Sequence, residues 1–211
     1  MKTLRSKTTA WKAGWFALLA GLGTAAMSAQ AQTGDTAAGQ KVVASVCQNC
    51  HGLDGNSTSA TFPRLNGQQE EYIAAQLKAF RDHSRADPHA MAYMWGMAAR
   101  LDDATIASIA NFLAAQSKTA AQTGGALAQQ GRQIYVNGDA AHNIPACGAC
   151  HGANAEGNGP IPRLAGQHAD YLRKQLENFR SLLRNNDVMH ANTQDMTDSQ
   201  IEAVVSYLAN D

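Results

Sequence analysis

Two pentapeptides, Cys47-Gln48-Asn49-Cys50-His51 and Cys147-Gly148-Ala149-Cys150-His151, hold all four cysteines of the chain. Thiols at this spacing can cycle as a redox dithiol, supply half of a zinc site, or be alkylated by a cofactor. A redox dithiol needs a single C-x-x-C in a βαβ context, and zinc needs two pairs converging on one metal. Neither gives a role to the histidine that directly follows each second cysteine. Covalent haem attachment does, because two thioethers fix the macrocycle and the adjacent imidazole ligates its iron. Two haem c groups are therefore expected, with Cys47, Cys50, Cys147 and Cys150 as attachment points and His51 and His151 as proximal axial ligands.

The N-terminus says where such chemistry would take place. Lys2, Arg5, Lys7 and Lys12 form a basic start, an apolar run from Ala13 to Met27 follows, and Ser28-Ala29-Gln30-Ala31 places small residues as an export cleavage site does. The run is short against the ~20 residues that span a bilayer. Residues 1–31 are thus expected to be a signal peptide, removed after Ala31 in a periplasm-like compartment. Removing those four cations from the 17 basic residues leaves 13 against 17 acidic ones. A mildly acidic exported protein has no electrostatic basis for binding nucleic acid.

The elements that must position the two pentapeptides are themselves duplicated. Residues 62–81, FPRLNGQQEEYIAAQLKAFR, align with 161–180, IPRLAGQHADYLRKQLENFR. Residues 94–113 align with 189–208 in the same way. Two copies are expected, over 32–117 and 127–211, joined by a small, polar linker at 118–126. The copies differ in length between Gly39 and Cys47 against Gly131 and Cys147, and between Phe80 and Met94 against Phe179 and Met189; loops are expected there. Apolar residues recur at helical spacing, as Ile73, Leu77, Phe80 and Leu172, Leu176, Phe179, then as Ile106, Ile109, Leu113 and Ile201, Val204, Leu208. Thr197 with Gln200 three positions on reads as a capping box. With almost no strand-like alternation, the fold class is all-α, and a haem would add apolar mass to domains whose own cores are thin.

Two C-x-x-C-H units, each followed by PRLxGQ and a closing apolar helix, with GDAAHNIPACGACHG introducing the second, resemble the dihaem cytochrome c4 family over about residues 34–209. The resemblance implies two tandem class I cytochrome c domains, each with one covalent haem, passing electrons singly to a terminal oxidase or similar acceptor.

In that framework the second axial ligand comes from the segment before each closing helix. Met94 and Met189 hold equivalent places there, and a thioether ligand raises the reduction potential. Met91 and Met97 compete with Met94 but have no counterpart in the second copy; beside Met189 stands only His190. His83, His89, His142 and His168 have no repeat partner and are read as surface or loop residues. In the family, a proline carbonyl orients the ligating histidine, which points to Pro63 and Pro162. Arg64 and Arg163, next in sequence, are either partners of a haem propionate or solvated charges.

Six-coordinate iron leaves no position for a substrate, so an electron carrier is expected rather than an enzyme. The alternatives are a cytochrome subunit of a larger dehydrogenase with a flavoprotein partner, and a dihaem peroxidase. The expected partners are redox proteins such as a terminal oxidase or a quinol-oxidising complex, served by a monomer in the periplasm, with peripheral membrane association compatible with that role. Formal charges of −1 over residues 32–120 and −3 over 121–211 suggest a lower potential for the C-terminal haem.

Overall fold

The apolar stripes become the two helices around which each half is built. α5 (Asp103–Ala114) starts at Asp102, whose carboxylate accepts the Thr105 N–H at 2.7 Å. α10 (Asp198–Leu208) starts at the expected capping box: Gln200 N–H donates to Thr197 Oγ1 at 3.3 Å, and Thr197 N–H donates to Gln200 Oε1 at 2.8 Å. Ile106, Ile109 and Leu113 are buried, as are Ile201, Val204 and Leu208. The computed structural model describes residues 35–122 and 124–210. The export segment expected over residues 1–31 lies outside them, as do Thr123 of the linker and Asp211.

α1 (Thr36–Val42) packs on α5, and α6 (Gly125–Asn137) packs on α10 in the same manner. The short α2 (Gln48–His51) and α7 (Gly148–His151) carry the cysteine motifs. α3 (Glu70–Arg81) and α8 (Ala169–Arg180) are the middle helices, burying Ile73 and Phe80, and Leu172 and Phe179. The first half centres on Val43, Ile73, Ile109 and Leu113, and the second on Tyr135, Leu172, Ile201, Val204 and Leu208. Pairing among the described residues is confined to isolated bridges, so the all-α expectation holds. None of their helices is long and apolar enough to cross a membrane.

The two length differences are absorbed differently. Between Gly131 and Cys147 the extra residues do form a loop: α6 stops at Gly138, a short 3₁₀ turn at Ala140–His142 follows, and Asp139 bridges Ile144. In the first half a π-helical turn, Val43–Cys47, instead runs α1 straight into α2. The second difference corrects the sequence reading. Residues 82–87 match 181–186 in length, so the four extra residues before Met94 belong to helical backbone. They are taken up in the helical stretch that leads through a five-residue π-helical turn, Ala90–Met94, into α4 (Trp95–Ala98), and Met189 sits on α9 (Asp187–Thr193). Four residues slightly exceed one 3.6-residue turn, and the wider π turn takes up the excess without rotating the helix out of register.

The halves meet through the PRLxGQ repeats. Gln68 Oε1 accepts the Arg163 N–H at 2.7 Å while its Nε2 donates to the Arg163 carbonyl at 2.8 Å. Gln167 returns both bonds to Arg64, each at 2.8 Å. Each amide side chain thus acts as a short length of strand for the other copy's backbone, satisfying groups that the loop alone would leave unpaired.

Candidate functional site

His51 and His151 end α2 and α7, and both rings are buried. The backbone reverses immediately after each, at Gly52 with φ 82° and Gly152 with φ 86°, a conformation that favours glycine. The reversal sends the chain back over the ring to Pro63 and Pro162. His51 Nδ1 lies 2.8 Å from the Pro63 carbonyl, and His151 Nδ1 lies 3.0 Å from that of Pro162. A carbonyl can only accept, so the proton resides on Nδ1 and Nε2 keeps its lone pair. Burial lowers the pKa of both imidazoles, partly offset by the proline contacts, and so favours the neutral, ligating form.

None of the four cysteines is paired in a disulfide; Cys50 and Cys150 are exposed, while Cys47 and Cys147 are half-buried beside the apolar cores. Burial raises the pKa of the Cys47 and Cys147 thiols. The two pairs sit in separate halves, and among the described residues no group of three or more His, Cys, Asp and Glu side chains could hold a metal ion. The geometry therefore offers nothing to the zinc alternative. It suits a haem: one imidazole per half with an available lone pair, and two thiols within one helical turn of it.

Met94 is half-buried against the Phe80, Ala90 and Ala98 cluster, whereas its rivals Met91 and Met97 are 47% and 56% exposed. Met189 is also half-buried; its N–H donates to Asn186 Oδ1 at 2.9 Å, and its carbonyl accepts Thr193 Oγ1–H at 2.7 Å. His190 is engaged elsewhere, with Nδ1 2.9 Å from the Phe179 carbonyl.

The other sequence candidates have various destinations. Arg64 Nη1 donates to the carbonyls of Gly166, at 2.9 Å, and Asn210; Arg163 Nη2 donates to that of Thr119. Both guanidiniums are thus at least partly spent on the seam and the linker. His83 stacks on Trp95 with centroids 4.0 Å apart, His89 meets the edge of Tyr93, and His142 pairs with Asp139 at 2.8 Å. His168 corrects the reading as a surface residue. It is 3% exposed, with Nε2 2.9 Å from the Ser57 carbonyl of the other half. The repeat held the clue: His168 aligns with Gln69, whose Nε2 donates across the same seam to the Glu156 carbonyl at 2.7 Å.

A larger polar cluster escaped the sequence reading. Arg85 and Arg184 are both buried in it, each lying over a phenylalanine ring, Phe80 at 4.8 Å and Phe179 at 4.6 Å. Arg85 donates to Gln76 at 2.8 Å and across the seam to Gln175 at 3.0 Å. Arg184 donates to Gln175 at 2.6 Å and across to Gln76 at 2.8 Å and Tyr72 at 3.0 Å. Burial raises the pKa of the Tyr72 phenol, but the charges of Arg184 and Arg85 outweigh it and leave that pKa lowered. Each arginine, glutamine and tyrosine stands 99 positions from its counterpart, the offset that relates Phe80 to Phe179, so the pairing was visible in the repeat.

The model of one family, Cytochrome c, matches residues 36–117 and again 128–210. Cytochrome c-552 of Acidithiobacillus ferridurans is 42% identical over 80% of this chain and 74% of its own length. The solved structure of Acidithiobacillus ferrooxidans cytochrome c4 superposes with a TM-score of 0.73 at 41% identity, covering 77% of this chain and 97% of that one. A thiosulfate dehydrogenase electron acceptor of Thiomonas intermedia is 37% identical over 79% of this chain and 78% of its own.

Proposed function

The chain belongs to the cytochrome c family, in its dihaem cytochrome c4 branch, and on that premise we propose how its residues hold two haems and which proteins it serves. It carries two haem c groups, one on each C-x-x-C-H motif, and is an electron carrier. Cys47 and Cys50 hold the first haem by thioethers, and Cys147 and Cys150 hold the second. His51 with Met94, and His151 with Met189, ligate the two irons. The observation that carries this reading is the pair of Nδ1 contacts to Pro63 and Pro162, because each turns one imidazole lone pair toward a ligand. Arg64 and Arg163 share their guanidiniums between the seam and a propionate.

Filling both axial positions leaves no iron open to substrate and raises the potential into a range suited to the oxidising end of a respiratory chain. The mature protein works in the periplasm after loss of residues 1–31, taking single electrons from a quinol-oxidising complex and delivering them to a terminal oxidase. The likeness to a thiosulfate dehydrogenase electron acceptor supports a second reading, in which the donor is a sulfur-oxidising dehydrogenase. Stopped-flow mixing of the ferric protein with each purified donor decides between them. Reduction at catalytically competent rates by the quinol-oxidising complex supports the first; fast reduction by the dehydrogenase alone replaces it.

A further inference from the structure

The arginine cluster is symmetric in every member except one. Asp87 Oδ2 accepts Arg85 Nε–H at 2.8 Å, and the carboxylate is fully buried. Ninety-nine positions later stands Asn186, a neutral residue whose Oδ1 caps α9 by accepting the Met189 N–H. Among the described residues no carboxylate lies within ion-pair distance of Arg184. Two buried cations are therefore accompanied by one buried anion, which is paired with Arg85 in the first half. Asp87 Oδ1 is buried without a hydrogen-bond partner, so that carboxylate is stabilised chiefly by the arginine.

Each side of the cluster is tied to one axial methionine. Arg85 lies over Phe80, which shares an apolar cluster with Met94, and the Arg85 carbonyl accepts the Trp95 Nε1–H at 2.8 Å. Arg184 lies over Phe179 and stands two residues before Asn186, whose side chain caps the helix that carries Met189. Positive charge near an iron favours the ferrous state, and a carboxylate favours the ferric. We propose that Asp87, opposite Asn186, is the residue that makes the two electron sites unequal, holding the first-half haem at the lower potential so that the electron resides on the second.

This order reverses the one suggested by the formal charges of −1 and −3 for the halves. Those totals come mostly from exposed groups, whose fields are screened over about 8–10 Å in physiological salt. Asp87, at 0% exposure, has no such screen. The inference rests on the His/Met reading of both irons.

Potentiometric titration followed by proton NMR tests it, with the two ferric sites assigned from Met94→Ala and Met189→Ala. In the wild type the first-half haem should be reduced last. Asp87→Asn should shift the electron-exchange equilibrium severalfold toward the first haem, and Asn186→Asp should do the same by lowering the second. Asp87→Asn/Asn186→Asp should reverse the wild-type order. A wild type whose first-half haem has the higher potential overturns the proposal, even if the variants fail to fold. So does an unchanged equilibrium in Asp87→Asn and Asn186→Asp proteins of wild-type helicity and haem content. A failure of the underlying ligation reading shows itself separately, as a missing ferric Fe–S charge-transfer band in the unmodified protein.

Discussion

Gly39 lies so close to Ser108 that a Cβ at position 39 would sit 1.9 Å from the Ser108 carbonyl oxygen. Gly131 meets Ala203 in the same way at 1.8 Å. These contacts are where α1 crosses α5 and α6 crosses α10, and their obstruction is backbone, which cannot rotate away as a side chain could. Gly39→Ala and Gly131→Ala should each cost about 1–3 kcal/mol as overpacking, at ~2–4 °C per kcal/mol in the melting temperature of a chain this size. Thermal melts of the haem-loaded protein check this. A control at Gly96, where a Cβ would meet nothing within 4 Å, should melt close to the wild type.

The seam glutamines lend themselves to a double-mutant cycle. Gln68→Ala strands the N–H and carbonyl of Arg163, and Gln167→Ala strands those of Arg64. Each change should cost about 1–3 kcal/mol through unpaired polar groups. If the halves separate as units, the double variant should cost less than the sum of the two, because a seam already opened by one lets water reach the other. Strict additivity in denaturant unfolding would show that the two exchanges act independently.

Much of this architecture could be read from periodicity, because the stripes on α3, α5, α8 and α10 report a helix's buried face whatever lies across from it. Thr197 and Gln200 likewise reported a helix start from local chemistry alone. The seam was harder. A repeat shows that Gln68 and Gln167 are equivalent, but equivalence does not say that each copy's glutamine is bonded to the other copy's backbone. His168 was misplaced for the same reason, since an imidazole near a helix start looks exposed until a second domain covers it. The helical insertion before Met94 was missed because a length difference carries no sign of its secondary structure. Asp87 and Asn186 could be aligned, yet only their burial beside Arg85 and Arg184 gives the difference consequence.

Acid should weaken one link between α8 and α10. Arg173 Nη2 donates to Glu202 Oε2 at 2.9 Å, and this hydrogen bonding holds the folded-state pKa of the Glu202 carboxyl below the ordinary glutamate value. A depressed carboxylate contributes stability at pH values above its unfolded pKa and loses it as the pH falls through the folded one. Glu202 is 42% exposed and Arg173 30%, so the contribution is screened, to about 0.2–1 kcal/mol. Glu202→Gln should be less stable than the wild type at pH 7, and the gap should close below pH 4. Unfolding curves at the two pH values measure it, and a gap constant with pH would assign the loss to packing.

The two methionines proposed as axial ligands give the most direct test of how the irons are held. Met94 is half-buried against the Phe80, Ala90 and Ala98 cluster and Met189 is half-buried on α9, while Met91 and Met97 stand about half exposed. Replacing either proposed ligand by alanine removes one thioether without touching the cysteines, so intact mass should still report two haems per chain. The ferric Fe–S charge-transfer band should fall by about half in each single variant if the two His/Met sites contribute equally, and the potential should drop at the altered haem, because the soft ligand that favoured ferrous iron is gone. Met91→Ala and Met97→Ala should leave the band intact. Met97→Ala halving the band while Met94→Ala spares it would move the first ligand one helical turn along, and the equivalence of Met94 with Met189 would fall with it.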